Sequence, residues 1–227
     1  MKKSFALMFI LLFVSSAALY AEAVVKGRIL FEGAPPPAEK VEVKSDVPIC
    51  GSSQEVKKMM LGSENGVANA VVKIIGAQGT AEPGKGTLDQ VQCEFVPHVQ
   101  VLPVGSTLVI TSSDAVLHNS HGFYEDGSTA FNIAVPIVGM EITQKLAKAG
   151  VIKLRCDAGH TWMSAYVVVT DTPHYGLTDA NGNFSLEGVP PGQYEIEIWH
   201  EWLGVHREPL VIQEAKAEPL EIHLQKV

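Results

Sequence analysis

The sequence predicts an all-β chain built as a sandwich, and three observations carry that prediction. Apolar residues alternate with polar ones in short runs rich in β-branched and aromatic side chains, as in Tyr194-Glu195-Ile196-Glu197-Ile198-Trp199. Clusters of glycine, proline and asparagine separate these runs, as they do between strands. No long segment repeats with the helical period.

The chain opens with a basic Met1-Lys2-Lys3, an apolar run from Phe5 to Val14 and a small-x-small site at Ala21-Glu22-Ala23. This is the build of a secretory signal, and its apolar core is too short to span a bilayer. Residues 1–23 are therefore expected to be a cleaved signal peptide. The mature protein is then periplasmic or secreted, with no membrane span after cleavage. At 227 residues there is room for one or two domains, and a formal net charge of −8 excludes a general nucleic-acid binder.

Val24 to Phe31 reads as the first strand, ended by Pro35-Pro36-Pro37, which cannot donate to a ladder. Val41-Glu42-Val43 is a candidate short strand. Residues 44–65 are polar and read as a loop holding Cys50, with Gln54 to Leu61 ambiguous between a helical turn and a strand. Ala68 to Ile75 is rich in β-branched residues and reads as a strand. Gly76 to Gly86 is a linker. Val91 to Phe95, Val99 to Leu102 and Thr107 to Thr111 read as strands, and Leu117-His118-Asn119-Ser120-His121 as a loop. Phe131 to Val138 and Met140 to Leu146 are short strands, while Val151 to Arg155 and Tyr166 to Val169 flank a loop between Cys156 and Met163. From Pro173 on, Thr178 to Phe184 carries an Asn181-Gly182 turn and reads as a hairpin. Val189-Pro190-Pro191-Gly192 turns the chain again, and strands at Tyr194 to Trp199, Pro209 to Ile212 and Pro219 to Leu224 finish it.

The loop Cys156-Asp157-Ala158-Gly159-His160-Thr161-Trp162-Met163 places a thiol, an imidazole and a thioether together. These soft and borderline ligands suit copper. A blue-copper site needs two imidazoles and a thiolate in one plane, plus a weak axial thioether, so a second imidazole must come from elsewhere. His118 is the expected fourth ligand, with His121, three residues on, as the alternative. His98 reads as a structural histidine. Asp114 and Asn119 bracket His118 and are placed to order its loop. Asn119 is also expected to support the ligands from outside the coordination shell, and Trp162 to pack beside the metal. An exported protein with three cysteines has one thiol left over. Three pairings are possible. Cys50 with Cys93 is favoured, because Cys156 alone sits beside a His and a Met.

Val104-Gly105 before a strand, then Ser113-Asp114 and His118-Asn119, together with the Cys156 loop, resemble a cupredoxin domain over residues 87–172. The Cys-x3-His-x2-Met spacing is similar to the ligand loop of cytochrome oxidase subunit II. That two-copper centre has a further cysteine four positions before the loop cysteine. Here the position is Ile152, so a single copper ion is expected. The resemblance implies a Greek-key sandwich, one type-1-like copper held by His118, Cys156, His160 and Met163, and one-electron transfer. Thr178-Asp179, Gly182 and Phe184, followed by Val189-Pro190-Pro191-Gly192 and Tyr194, resemble the carboxypeptidase regulatory-like domain, a small prealbumin-like β-sandwich. Its earlier strands resemble Val25 to Phe31 and Ala68 to Val72. Residues 24–80 and 173–227 are then expected to form one discontinuous sandwich with the copper domain inserted. A simple tandem is the competing arrangement.

Electron transfer implies a redox partner protein, and an acidic surface favours a basic one such as a c-type cytochrome. His160 is the expected exposed edge at which it is met. A copper carrier or sensor is the alternative, although carriers rely on clustered Met and His and the methionines here are scattered. A non-catalytic interaction module with a relic site is a third reading. No enzyme activity is expected: a Met beside Cys156 and His160 has no role in nucleophilic catalysis. Trp199-His200-Glu201-Trp202 is expected to pack a strand end against the neighbouring domain.

Overall fold

A computed structural model of the chain describes residues 22–213 and 219–226. The expected signal peptide falls almost wholly on residues 1–21, outside the described residues. The N-terminal part supplies β1 (Ala23–Phe31), β2 (Glu39–Glu42), the single-turn helix α1 (Val47–Cys50), β3 (Ser53–Val56) and β4 (Val71–Ile75). The middle supplies β5 (Lys85–Val91), β6 (Glu94–Val96), β7 (Val99–Pro103), β8 (Thr107–Ile110) and β9 (His118–Tyr124). It continues with β10 (Thr129–Val135), β11 (Ile142–Lys145), β12 (Gly150–Arg155) and β13 (Ser164–Thr170). The C-terminal part supplies β14 (Tyr175–Leu177), β15 (Asn183–Val189), β16 (Gly192–His200), β17 (Gly204–Ile212) and β18 (Leu220–Leu224). The all-β expectation holds.

Strands from both ends of the chain share two sheets. β1 lies between β15 and β18, antiparallel to the first and parallel to the second. β4 lies between β14 and β16, and β17 closes that sheet. Alternation along β1 points Val25, Ile29 and Phe31 to one side. There they meet Ile74, Phe184, Ile196, Ile198 and Ile222 in one buried core. The turn at Asn181-Gly182 joins β14 in one sheet to β15 in the other, so its residues make a sheet-to-sheet corner rather than the expected hairpin. Gly182 has φ +82°, and a Cβ there would stand 2.4 Å from the Ile29 carbonyl oxygen. The turn is thus locked against β1, whose Ile29 N–H donates to the Gly182 carbonyl.

The middle strands build a second sandwich. One sheet runs β10-β9-β12-β13-β7 and the other β11-β8-β5-β6. Leu88, Leu108, Ile110, Ile152, Leu154 and Val167 fill the space between them. Ile152, where a bridging cysteine would stand, is a core residue at 1% exposure. A small buried cluster of Val71, Val99, Val168 and Trp199 links the two sandwiches, with Tyr166 packed against it. Trp199 meets Tyr166 with ring centroids 5.2 Å apart, so the strand end does pack its tryptophan against the neighbouring sheet.

Three local expectations change. His118 opens strand β9 instead of lying in a loop. Cys93 sits with Gln92 on the turn between β5 and β6, both at positive φ, instead of inside a strand. The Asp114 carboxylate accepts both turn N–H groups at 2.7 Å, which holds that unusual backbone. In the polar segment, β2 and β3 pair as a short antiparallel ribbon with α1 between them.

Candidate metal centre

The centre is assembled by β9, the loop between β12 and β13, the Gln92-Cys93 turn and the α1 segment. Alternation on β9 turns His118 and Ser120 inward and leaves Asn119 and His121 on the other face. The loop after β12 brings in Cys156, His160 and Met163, and it is tightened by a Met163 N–H bond to the His160 carbonyl at 3.0 Å. His118 and His160 are fully buried, with Cys156 4% and Met163 2% exposed.

His118 Nδ1 and His160 Nδ1 are 3.0 Å apart. Cys156 Sγ lies 3.9 Å from the first and 3.7 Å from the second. The opposite nitrogens face carboxylates: His118 Nε2 meets Asp114 Oδ2 at 2.9 Å, and His160 Nε2 meets Asp46 Oδ2 at 3.0 Å. A carboxylate accepts, so the hydrogen of each neutral ring is assigned to Nε2. Both Nδ1 lone pairs then face each other beside a thiol, among buried side chains. Lone pairs so placed repel, and a cation between them removes the conflict. Imidazole and thiolate donors stand about 2.0–2.3 Å from a first-row dication, and three atoms at the observed separations are within such reach of one point. Two imidazoles and a cysteine sulfur are donors that suit copper, and Met163, buried on the same loop, carries the soft thioether expected with them. Burial lowers the His118 pKa; hydrogen bonding to Asp114 opposes this, and the neighbouring His160 adds to it. The ring is thereby kept neutral and able to donate its lone pair.

Around these residues the polar groups are paired. The Asn119 N–H points at Cys156 Sγ at 3.5 Å. Asn119 Oδ1 accepts the Asp157 N–H at 2.5 Å, and its amide donates to Asn132, so one side chain ties β9 to the ligand loop and to β10. Trp162 is buried edge-on to His160, with centroids 5.4 Å apart, and donates its indole N–H to the Cys93 carbonyl at 2.9 Å. Cys50 and Cys93 form a disulfide and Cys156 is free. The bridge sits against the centre, its sulfurs within 4.8 Å of a His160 ring nitrogen. Beyond Trp162 and Met163 opens a cleft of about 450 Å³, lined also by Met60, Phe95 and His98.

The two other histidines weighed as ligands lie elsewhere. His121 pairs with Asp157 at 2.5 Å and stacks on Phe123, on the face of β9 away from His118. His98 bonds the Ser164 carbonyl and Glu201. Burial pulls its pKa down, but the Glu201 carboxylate more than compensates and leaves it raised. His160 is not the exposed edge that its loop position suggests. The α1 segment covers it, and Asp46 occupies its outer nitrogen. Asp46 is the residue that sequence reasoning missed. It lies 114 residues from His160, in a polar stretch with no ligand pattern of its own.

No protein-family model and no curated protein sequence matches this chain. Among solved structures it is similar to a purple cupredoxin from Nitrosopumilus maritimus, at 23% identity over 37% of this chain and 99% of that one, with a TM-score of 0.33. A pseudoazurin from Sinorhizobium matches at 24% identity over 39% of this chain and 76% of that one, with a TM-score of 0.32. A copper-containing nitrite reductase from Thermus scotoductus matches at 22% identity over 43% of this chain and 24% of that one, with a TM-score of 0.33.

Proposed function

We propose that this chain is an exported copper protein. In this reading it binds one type-1-like ion through His118, Cys156, His160 and Met163, and it passes single electrons to a redox partner protein such as a c-type cytochrome. The observation that carries the reading is the convergence of two buried imidazole lone pairs and a thiol, with each opposite nitrogen tied to a carboxylate. Bound copper supplies one-electron chemistry. The residues supply the rest. Asp114 fixes the His118 tautomer, Asn119 ties the ligand loop to its strand, and the surrounding core excludes water. A set held this firmly before metal arrives has little to rearrange when the charge changes.

Residues 24–80 and 173–227 are read as a carboxypeptidase regulatory-like sandwich, and 87–172 as the inserted copper domain. The pairing of β1 with β15 and β18, and of β4 with β14 and β16, supports that division. The disulfide supports an oxidising compartment, the periplasm or outside the cell. A carrier that surrenders its metal is less well supported, because its ligands would have to be accessible and these are buried.

The test is an absorption spectrum on adding Cu(II). A strong thiolate-to-copper band at one ion per chain is expected, together with a reversible redox couple. Cys156→Ala removes the band. A colourless copper-loaded protein, or copper binding indifferent to that substitution, overturns the reading.

A further inference from the structure

Asp46 reaches the centre from outside the strands that build it. It stands at the N-cap position of α1, on the length of chain that leaves the outer sandwich after β1 and returns to it at β4. Its backbone is left-handed, φ 56° and ψ 26°. Its Oδ2 accepts the hydrogen of His160 Nε2 at 3.0 Å. The segment is anchored on both sides of it. Val43 and Cys50 are buried in the inner core, Cys50 is bonded to Cys93, and Gln54 donates to the Cys50 carbonyl at 2.5 Å. The Asp46 side chain remains 39% exposed, so its bond to a buried ring requires little desolvation of the carboxylate. Among the described residues, the other polar contacts at the centre come from the inner sandwich or its own loops.

From this geometry we propose that Asp46 is a positioning residue of the metal centre. It holds the hydrogen of His160 on Nε2, so that Nδ1 faces the metal, and its segment is a disulfide-pinned cap that closes the His160 edge to solvent. The outer part of the chain thereby sets the ligand strength of a site it does not contain. The inference rests on the copper reading above.

Two substitutions test it without straining the turn, since both glycine and asparagine accept a left-handed backbone. Asp46→Gly removes the acceptor, and Asp46→Asn keeps an acceptor but not the charge. The first readout is the ring 15N shifts of His160 in metal-free protein. The wild type and the Asn variant are expected to show hydrogen on Nε2, and the Gly variant a mixture of tautomers. The second is copper affinity by chelator competition, where Asp46→Gly is expected to lose about 10–100-fold for Cu(II). A loss tenfold larger for Cu(II) than for Cu(I) raises the midpoint potential by about 59 mV. A merely structural ion pair would lower thermal stability and move none of these. If the wild type shows the thiolate band and Asp46→Gly leaves tautomer, affinity and potential unchanged, the positioning role is wrong and the copper reading stands. If the wild type shows no band, the copper reading falls, and the metal-free tautomer measurement still decides whether Asp46 orients His160.

Discussion

At the scale of single residues, His118 and His121 are three positions apart and on opposite faces of one strand. His118→Ala is expected to abolish the thiolate band. His121→Ala should keep it and change stability by no more than about 1 kcal/mol, the range for an ion pair in contact with water; copper titration and denaturant unfolding check both. Sequence reading ranked His118 first but left His121 open, because a loop sets no facing. Once the stretch is a strand, alternation separates the two. The polar run His118-Asn119-Ser120-His121 hid the strand, since its inward face carries a histidine and a serine where aliphatic residues mark other strands. Ser120 is fully buried and accepted there because Gln90 bonds its hydroxyl at 3.0 Å. The expectation for Cys156 and Met163 rested on chemistry alone, soft side chains grouped on one loop, and both are buried there.

At the scale of elements, the α1 segment and the Gln92-Cys93 turn are stitched together by the disulfide. The bridge closes a loop of 43 residues. Closing a loop of that size constrains the unfolded chain by about 4 kcal/mol in the entropy model. Replacing Cys50 and Cys93 together by serine is expected to cost stability of that order, measured by denaturant unfolding of metal-free protein. The same variant should speed hydrogen exchange at Asp46 and His160, because the cap loses its tether. The pairing itself was legible by setting aside the thiol beside His160. The turn was not. Two non-glycine residues at positive φ leave no mark in a sequence, and here a carboxylate about twenty residues away holds them. The Asn181-Gly182 turn shows the converse. Its chemistry was plain and its placement was not, because a tight turn serves equally as a hairpin or as a corner between sheets.

At the scale of the whole molecule, the two sandwiches meet near Trp199 and His200. Burial lowers the His200 pKa from 6.5 to about 4, with Glu201 opposing and His98 and Lys226 reinforcing the shift. The folded state disfavours the charged ring, so its contribution is intact above pH 6.5 and is lost as pH falls toward 4. Across that window the loss is roughly 3 kcal/mol. His98 has the opposite sign: its raised pKa stabilises the fold below 6.5, so it does not add to the acid loss. His200→Asn, which retains an acceptor for the Trp202 backbone N–H, should flatten the acid limb of a stability–pH curve. The all-β build of both groups of strands was legible in the period-two runs and the turn clusters between them. The contact between them was not, because β4, β7, β13 and β16 meet through side chains far apart in the chain. The interleaving of the strands also fixes an order in time. β1 and β4 are made first, yet they have no sheet partners until β14 to β18 exist. The inner sandwich, whose strands are contiguous, can close while the ends are still open. The candidate centre, with the α1 segment anchored in the same core, can therefore take shape before the outer sheets that frame it are complete.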